Sequence, residues 1–254
     1  MSRLRSALPG MMSLGVIASV WEGLTRTGIV PRYFLPPLDE VGAECWRLLV
    51  VDHTLYGDIG ISIVRILAGF GLAVAFGVLG GIIAGLSQGA EQFLVPSIAV
   101  SAPLPKVAFL PLFVIWFGLG ETAKILVVFI NNFYQPFINT FAGVKGVDRR
   151  YIWSAQSMGL SHYAIVRDAI IPGSLPYIIA GVRMIAPVSV VIIVLAEMVA
   201  ARNGIGFYTY QMARDYRLTE MFVGLSVLAV IAVAFDLAVG LIGRRLLHWE
   251  GDRG

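Results

Sequence analysis

The sequence predicts an all-α membrane protein with six transmembrane helices and a cytoplasmic helical loop between spans four and five. Of 254 residues, 57% are hydrophobic and only 14% charged, with a mean hydropathy of +0.81, whereas a soluble domain carries about a quarter charged residues. Six apolar stretches are long enough to cross a bilayer core of about 30 Å, which takes ~20 helical residues. Between the fourth and fifth lies "SAQSMGLSHYAIVRDAIIPGSLP" (154–176), with the polar residues and punctuation of two short helices.

The stretches run approximately 8–24, 60–86, 93–118, 122–144, 174–200 and 222–243. The first follows Arg3 and Arg5 and resembles a signal peptide, but no small-residue cleavage site follows and five more stretches do. The second carries Gly69, Ala73, Gly77, Gly81 and Gly85, a small residue every fourth position, with Gly71 and Gly80 off the stripe. Such a stripe lets another helix approach closely in lipid; its partner is either another span of this chain or a second subunit. The third is interrupted by Pro96, Pro103, Pro105 and Pro111. Prolines remove backbone donors, so this span is expected to bend and to pack inside the bundle rather than face lipid.

An even number of spans places both termini on one side. Nine basic residues fall on that side (Arg3, Arg5, Lys145, Arg149, Arg150, Arg167, Arg244, Arg245, Arg253) and seven on the other (Arg26, Arg32, Arg47, Lys124, Arg202, Arg214, Arg217). The positive-inside rule therefore favours cytoplasmic termini by a slight margin, concentrated in "VKGVDRR" and "GRR".

The hairpin is then cytoplasmic. Ser161 is positioned as an N-cap for "HYAIVRDAI", Gly159 separates that helix from the preceding turn, and Pro172 is expected to stop or bend it. Arg167 and Asp168 stay wet while Ala164, Ile165, Ala169 and Ile170 face one way. Each piece is too short to span, which suits a pair lying across the membrane surface; the plainer reading is a surface loop that happens to be helical.

Here the sequence resembles a known family. The segment is similar to the EAA loop of binding-protein-dependent ABC transporter permeases, the coupling helix that docks on the ATPase subunit. Ala155, Gly159 and Pro172 match its second alanine, its glycine and its terminal proline. Trp153 stands in place of the glutamate, Ser154 in place of the first alanine, and Ala169 and Ile171 replace the closing isoleucine and leucine. The likeness extends through "FLPPLDEV" (34–41), "SIVRILAGFGLA" (62–73), "PLPKVAFLPLFVIWFGLGETAK" (103–124), "NTFAGVKGVD" (139–148), "PGSLPYIIAGVRM" (172–184), "AEMVAARNGIGF" (196–207) and Trp249, which look like the nitrate, sulfonate and taurine branch.

The resemblance implies a type I importer permease of the bacterial inner membrane. It divides the chain into an N-terminal helix and periplasmic segment (1–57), a permease core (58–245) and a cytoplasmic tail (246–254). It further implies a second permease copy, two ATPase subunits using ATP and magnesium, and a periplasmic or lipid-anchored binding protein that delivers a small anion such as a sulfonate, taurine or nitrate. Riboflavin-like, pyrimidine or aromatic-acid substrates remain open. The chain has no G-x-x-x-x-G-K-[ST], so ATP hydrolysis is expected in a partner. Trp153, Ser154, Ala155, Gly159, Ser161, Arg167, Asp168 and Pro172 are the candidate coupling residues.

Polar groups inside spans are costly and so are candidates for the pathway. Asn131, Gln135 and Asn139 recur every fourth residue, with Asn132 beside them; they are either a wall of amide donors or interhelical glue. Lys106 lies in the proline-broken span, where it either attracts an anion or snorkels. Arg183 and Glu197 fall near opposite ends of the fifth stretch as gate, interface or salt-bridge residues, and Arg65 and Asp236 also need partners.

Other classes fit less well. An ATP-independent secondary transporter or channel would show paired inverted halves, yet the proline cluster is in one half only. An intramembrane enzyme needs a nucleophile with its base or a set of metal ligands; Ser62, Ser101 and Ser189 have no evident base, Cys45 stands alone, and His53, His162 and His248 lie far apart. A net charge of +3 is too small and dispersed for nucleic acid.

Overall fold

A helix that shows only glycine and alanine along one face can be approached to backbone contact, and the central pair of this structure is built that way. The computed structural model describes residues 2–248. The long helix α3 (Tyr56–Leu86) lies along α6 (Glu121–Asn132) and α7 (Tyr134–Lys145) of the same chain. A β-carbon at Gly69 would stand 2.6 Å from Val128 Cβ, one at Gly77 2.9 Å from Pro136 Cβ, and one at Gly85 2.7 Å from Val144 Cβ. Ala73 has no exposed surface, and Gly81 meets Thr140 in the same way. The stripe thus packs within the chain. Gly71 faces open space, whereas Gly80 abuts the Phe137 ring.

The opposite face of α7 is closed by α10 (Ile171–Ala200), again through small residues: Gly143 against Ser174 and Tyr177, and Gly181 against Asn139. A core of Ile66, Phe113, Val127, Val128, Ile193 and Ala196 fills the space where α3, α6, α10 and α5 (Leu110–Phe117) meet. A second core joins α2 (Leu38–Trp46), α11 (Ile205–Arg214) and α12 (Leu218–Leu246) through Val41, Ile205, Val223 and Val227. The N-terminal helix α1 (Ser2–Arg26) is tied on by Trp21, which stacks edge-on against Phe222 and donates to the Pro36 carbonyl at 2.9 Å. There is no strand among the described residues.

By length and apolarity, three helical runs can cross a membrane singly: Tyr56–Leu86, His162–Ala200 and Leu218–Leu246. A fourth candidate is the pair α4 (Gln88–Ser101) and Lys106–Phe117, bent by 85°. The prolines explain this bend: Pro103 and Pro105 break the hydrogen-bond ladder between the two arms, and Pro111 starts α5, where its missing N–H costs nothing. The expectation that this segment packs inside the bundle is corrected for its first arm. No residue of α4 is buried within the chain, because α3 is its main neighbour, and Phe93 and Val100 are exposed.

The fourth stretch is divided into α6 and α7 at Phe133, which keeps helical dihedrals (φ −57°, ψ −36°). Pro136 has no N–H to give to Asn132, so one rung is missing and the axis continues. Leu67, Leu79, Val191, Val230, Leu237 and Leu241 are among many exposed apolar side chains on α3, α10 and α12, a surface suited to lipid or to other membrane helices.

Candidate functional site

Two features stand at opposite ends of the bundle. The first is a buried polar node. It joins the start of α3, the start of α6, the end of α10 and the turn 201–204 leading into α11. Arg65 and Glu197 both have fully buried side chains, and Arg65 Nη1 donates to Glu197 Oε1 at 2.7 Å and to the Asn203 carbonyl at 2.9 Å. Arg65 Nη2 donates to Glu121 Oε1 at 2.8 Å and to Asn203 Oδ1 at 2.6 Å, while its Nε pairs with Glu121 Oε2. Burying a guanidinium is tolerable only when its donors are all met, and here they meet two carboxylates and an amide.

Glu197 is equally well supplied. Ser62 Oγ donates to it at 2.8 Å, and the Gly206 backbone N–H does so at 2.9 Å. Ser62 in turn accepts from the Ile205 N–H at 3.0 Å, and Asp58 accepts from the Gly204 N–H at 2.6 Å. Gly204 sits at φ +106°, where a side chain is strained, and a β-carbon there would collide with the Glu197 carboxylate. Lys124 is buried beside the node, giving its ammonium to the Leu119 and Gly120 carbonyls at 3.0 and 3.3 Å.

The node is where three of the quoted sequence blocks converge: "SIVRILAGFGLA", the "ETAK" end of the proline-rich block, and "AEMVAARNGIGF". No local pattern marks Glu121, Asp58 or Asn203 as site residues, and Ser62 reads from sequence only as a nucleophile without a base. Their partners lie 56 to 146 residues away, beyond any local pattern. Glu197, placed among the pathway candidates, is held here by ion pair and hydrogen bonds.

The second feature is the hairpin. Helix α8 (Arg149–Ser157) is capped by Asp148, whose carboxylate accepts from the Arg150 N–H at 2.9 Å. Gly159 then turns the chain at φ +75°, and Ser161 Oγ accepts from the Ala164 N–H at 3.3 Å to start α9 (His162–Ile165). Of the two outcomes expected at Pro172, a stop or a bend, the stop does not occur. A π-turn, Val166–Ile170, widens the spiral just ahead of it and carries α9 directly into α10. Ala155 packs with Val144, Ile165 and Ile170 as the hairpin's root. Ser154, Arg167 and Asp168 are exposed. Arg167 grips Asp168 with two hydrogen bonds of 2.7 and 2.9 Å, which holds that carboxylate below the usual range. Trp153 and Tyr163 are 58% and 73% exposed, beside exposed Tyr151 and Met158.

The remaining candidates are scattered. Asn132 is buried and donates to Ser189 Oγ at 2.9 Å across to α10; Asn131 donates to Asn132 Oδ1 at 3.4 Å. Asn139 donates to the Gln135 carbonyl within its own helix at 2.9 Å and packs on Gly181. Arg183 is exposed on α10 and shares a surface cavity with Asp236 of α12. Lys106 lies at the bend and donates to the Ala102 carbonyl at 3.0 Å. Arg3 and Arg5 fall on α1, while Trp249 and Arg253 lie outside the described residues. Among the described residues no cluster of His, Cys, Asp or Glu is arranged for a metal ion.

Residues 77–248 match the family described as the binding-protein-dependent transport system inner membrane component. Over 94% of its length the chain is 36% identical to the taurine transport system permease protein TauC of Escherichia coli (strain K12), covering 89% of that protein. It is 31% identical over 96% of its length to the putative aliphatic sulfonates transport permease protein SsuC of Bacillus subtilis (strain 168), covering 88% of it. In fold it is similar to a chain of the MetNI methionine ABC transporter, with TM-score 0.57 and 18% identity over 79% of this chain and 97% of that one.

The chain belongs to the inner membrane permease family of binding-protein-dependent ABC transport systems, in its nitrate, sulfonate and taurine branch. It is a multi-pass membrane component, and the ATP-independent transporter or channel weighed from the sequence is set aside.

Proposed function

We propose that this chain lines the translocation pathway of an ATP-driven importer for a small sulfonate-type anion. In this reading it crosses the membrane six times with both termini in the cytoplasm. The crossings are α1, α3, the bent α4–α5 pair, α6–α7, α10 and α12. A second copy completes the pathway, two ATPase subunits bind ATP with magnesium, and a binding protein delivers the solute. The substrate class is carried over from the taurine and sulfonate permeases to which the chain is similar.

The observation that carries the reading is the hairpin. It presents Tyr151, Trp153, Met158 and Tyr163 to solvent from a buried root, and it is continuous with a 39-residue helical run that ends three residues beyond Glu197. A rigid body gripped at that point moves α10 with it, which is what switching a pathway between two sides requires. Asn131, Asn132, Gln135, Asn139, Lys106 and Arg183 remain pathway candidates in this reading.

The test is co-purification of the detergent-solubilised chain with its cognate ATPase, comparing wild type with Tyr163→Ala and Gly159→Val. Tyr163 is largely exposed, so its truncation tests the surface without disturbing the core. Wild type is expected to retain the ATPase and both variants to lose it. If wild type retains none, the importer reading fails; if both variants retain it fully, the hairpin is not the docking site.

A further inference from the structure

At the 85° bend between α4 and α5 lies a half-open cavity of about 230 Å³ against α6 and α7. Its wall is almost wholly apolar and largely aromatic: Phe109, Phe129, Phe133 and Tyr134, with the Phe129 and Phe133 rings 5.9 Å apart. One cation stands in that wall, Lys106. Its ammonium has three hydrogens to give, and among the described residues it makes a single hydrogen bond, to the Ala102 carbonyl one turn back. It has no ion pair among the described residues, and no Asp or Glu lines the cavity. Ser101 Oγ, on the same wall, donates to the Ile98 carbonyl and keeps its lone pairs.

A half-buried ammonium with an unmet share of its donors, set among aromatic rings with no carboxylate in reach, favours an anion beside it. We infer that this cavity is a binding site for a monoanionic alkyl- or arylsulfonate, its sulfonate oxygens on Lys106 and its apolar body against Phe109, Phe129 and Phe133. The inference rests on the importer reading above and sharpens it, because the wall carries one sign of charge only. A zwitterion such as taurine brings an ammonium that would find no carboxylate there, and an unpartnered charge held against an apolar wall is penalised. The space holds roughly eight waters at ~30 Å³ each, the scale of a four-carbon sulfonate. Selection at this point is thus for an apolar tail, and it operates separately from whatever a binding protein selects.

Equilibrium dialysis of the nanodisc-embedded permease–ATPase complex, without binding protein, tests it with labelled butanesulfonate and taurine. Wild type is expected to bind butanesulfonate at least tenfold more tightly than taurine. Lys106→Met should lose butanesulfonate binding by tenfold or more while Lys106→Arg keeps it. Ser101→Asp, which adds a carboxylate beside the ammonium, should reverse the preference toward taurine. Equal binding of butanesulfonate by wild type and Lys106→Met overturns the site, as does a preference for taurine in wild type. In either case retention of the ATPase by the same preparations leaves the importer reading standing. Failure of wild type to retain any ATPase overturns that reading instead. Should Lys106→Met not assemble, the reversal by Ser101→Asp decides alone.

Discussion

Arg65 and Glu197 meet at 2.7 Å with neither side chain exposed, joining the third turn of one long helix to the last turn of another. An ion pair so placed adds little net energy over an apolar pair, but losing one partner strands the other.

Arg65→Met or Glu197→Met alone should therefore destabilise the folded protein by about 3–5 kcal/mol, whereas the double substitution should cost clearly less than the sum. Thermal unfolding in detergent, read as a double-mutant cycle, measures this. Additive losses would mean that the two side chains act independently.

The glycine stripe makes a contrast within one helix. Gly81→Val places branched carbons where Thr140 and the Phe137 carbonyl already stand, and should cost about 1–3 kcal/mol through overpacking. Gly71→Ala meets open space and should gain about 0.5–1 kcal/mol from helix propensity. Opposite signs in the unfolding midpoint are the expected result; equal effects would refute the close approach of α3 to α7.

Gly204→Ala introduces a β-carbon at φ +106° against the Glu197 carboxylate. A loss of at least about 1–3 kcal/mol is expected from backbone strain alone. The unfolding midpoint of Gly204→Ala against wild type provides the check, since this region of backbone space is open essentially to glycine alone; an unchanged midpoint would show that the turn is free to rearrange.

Trp153 stands where the resembling motif has glutamate, and the nearby Arg167 and Asp168 charges are spent on each other. Docking of the ATPase on this hairpin should then depend mainly on apolar burial. Raising salt from about 0.1 to 1 M, which shortens the screening length from about 10 to 3 Å, should leave co-purification unchanged for wild type and weaken it for Trp153→Glu. Salt-sensitive retention of wild type would point to ion pairs elsewhere on the interface.

The helices most legible in the sequence are those whose signal is local. Uninterrupted apolar length marks α3, α10 and α12; proline spacing foretells the sharp bend at 102–105; Ser161 announces its own cap. What local pattern does not reach is pairing. The small-residue stripe of α3 says that something lies close, but only the fold says that it is α6 and α7. The node draws Ser62, Arg65, Glu121, Glu197 and Asn203 from three distant segments, so Arg65 reads from sequence only as a charge in need of partners. Pro172 reads from sequence as a stop or a bend, and only the fold excludes the stop: the ring removes one rung, and the π-turn ahead of it takes up the misfit without ending the helix.

The run His162–Ala200 has a mechanical consequence. At 1.5 Å per residue it is a continuous shaft about 57 Å long, longer than the ~30 Å core of a bilayer. Its compliance is confined to a few bands: the π-turn 166–170, and the rungs vacated by Pro176 and Pro187. Torque applied at the hairpin either arrives at Glu197 or is absorbed in those bands. Stiffening them is the way to raise the gearing between the two ends without touching either.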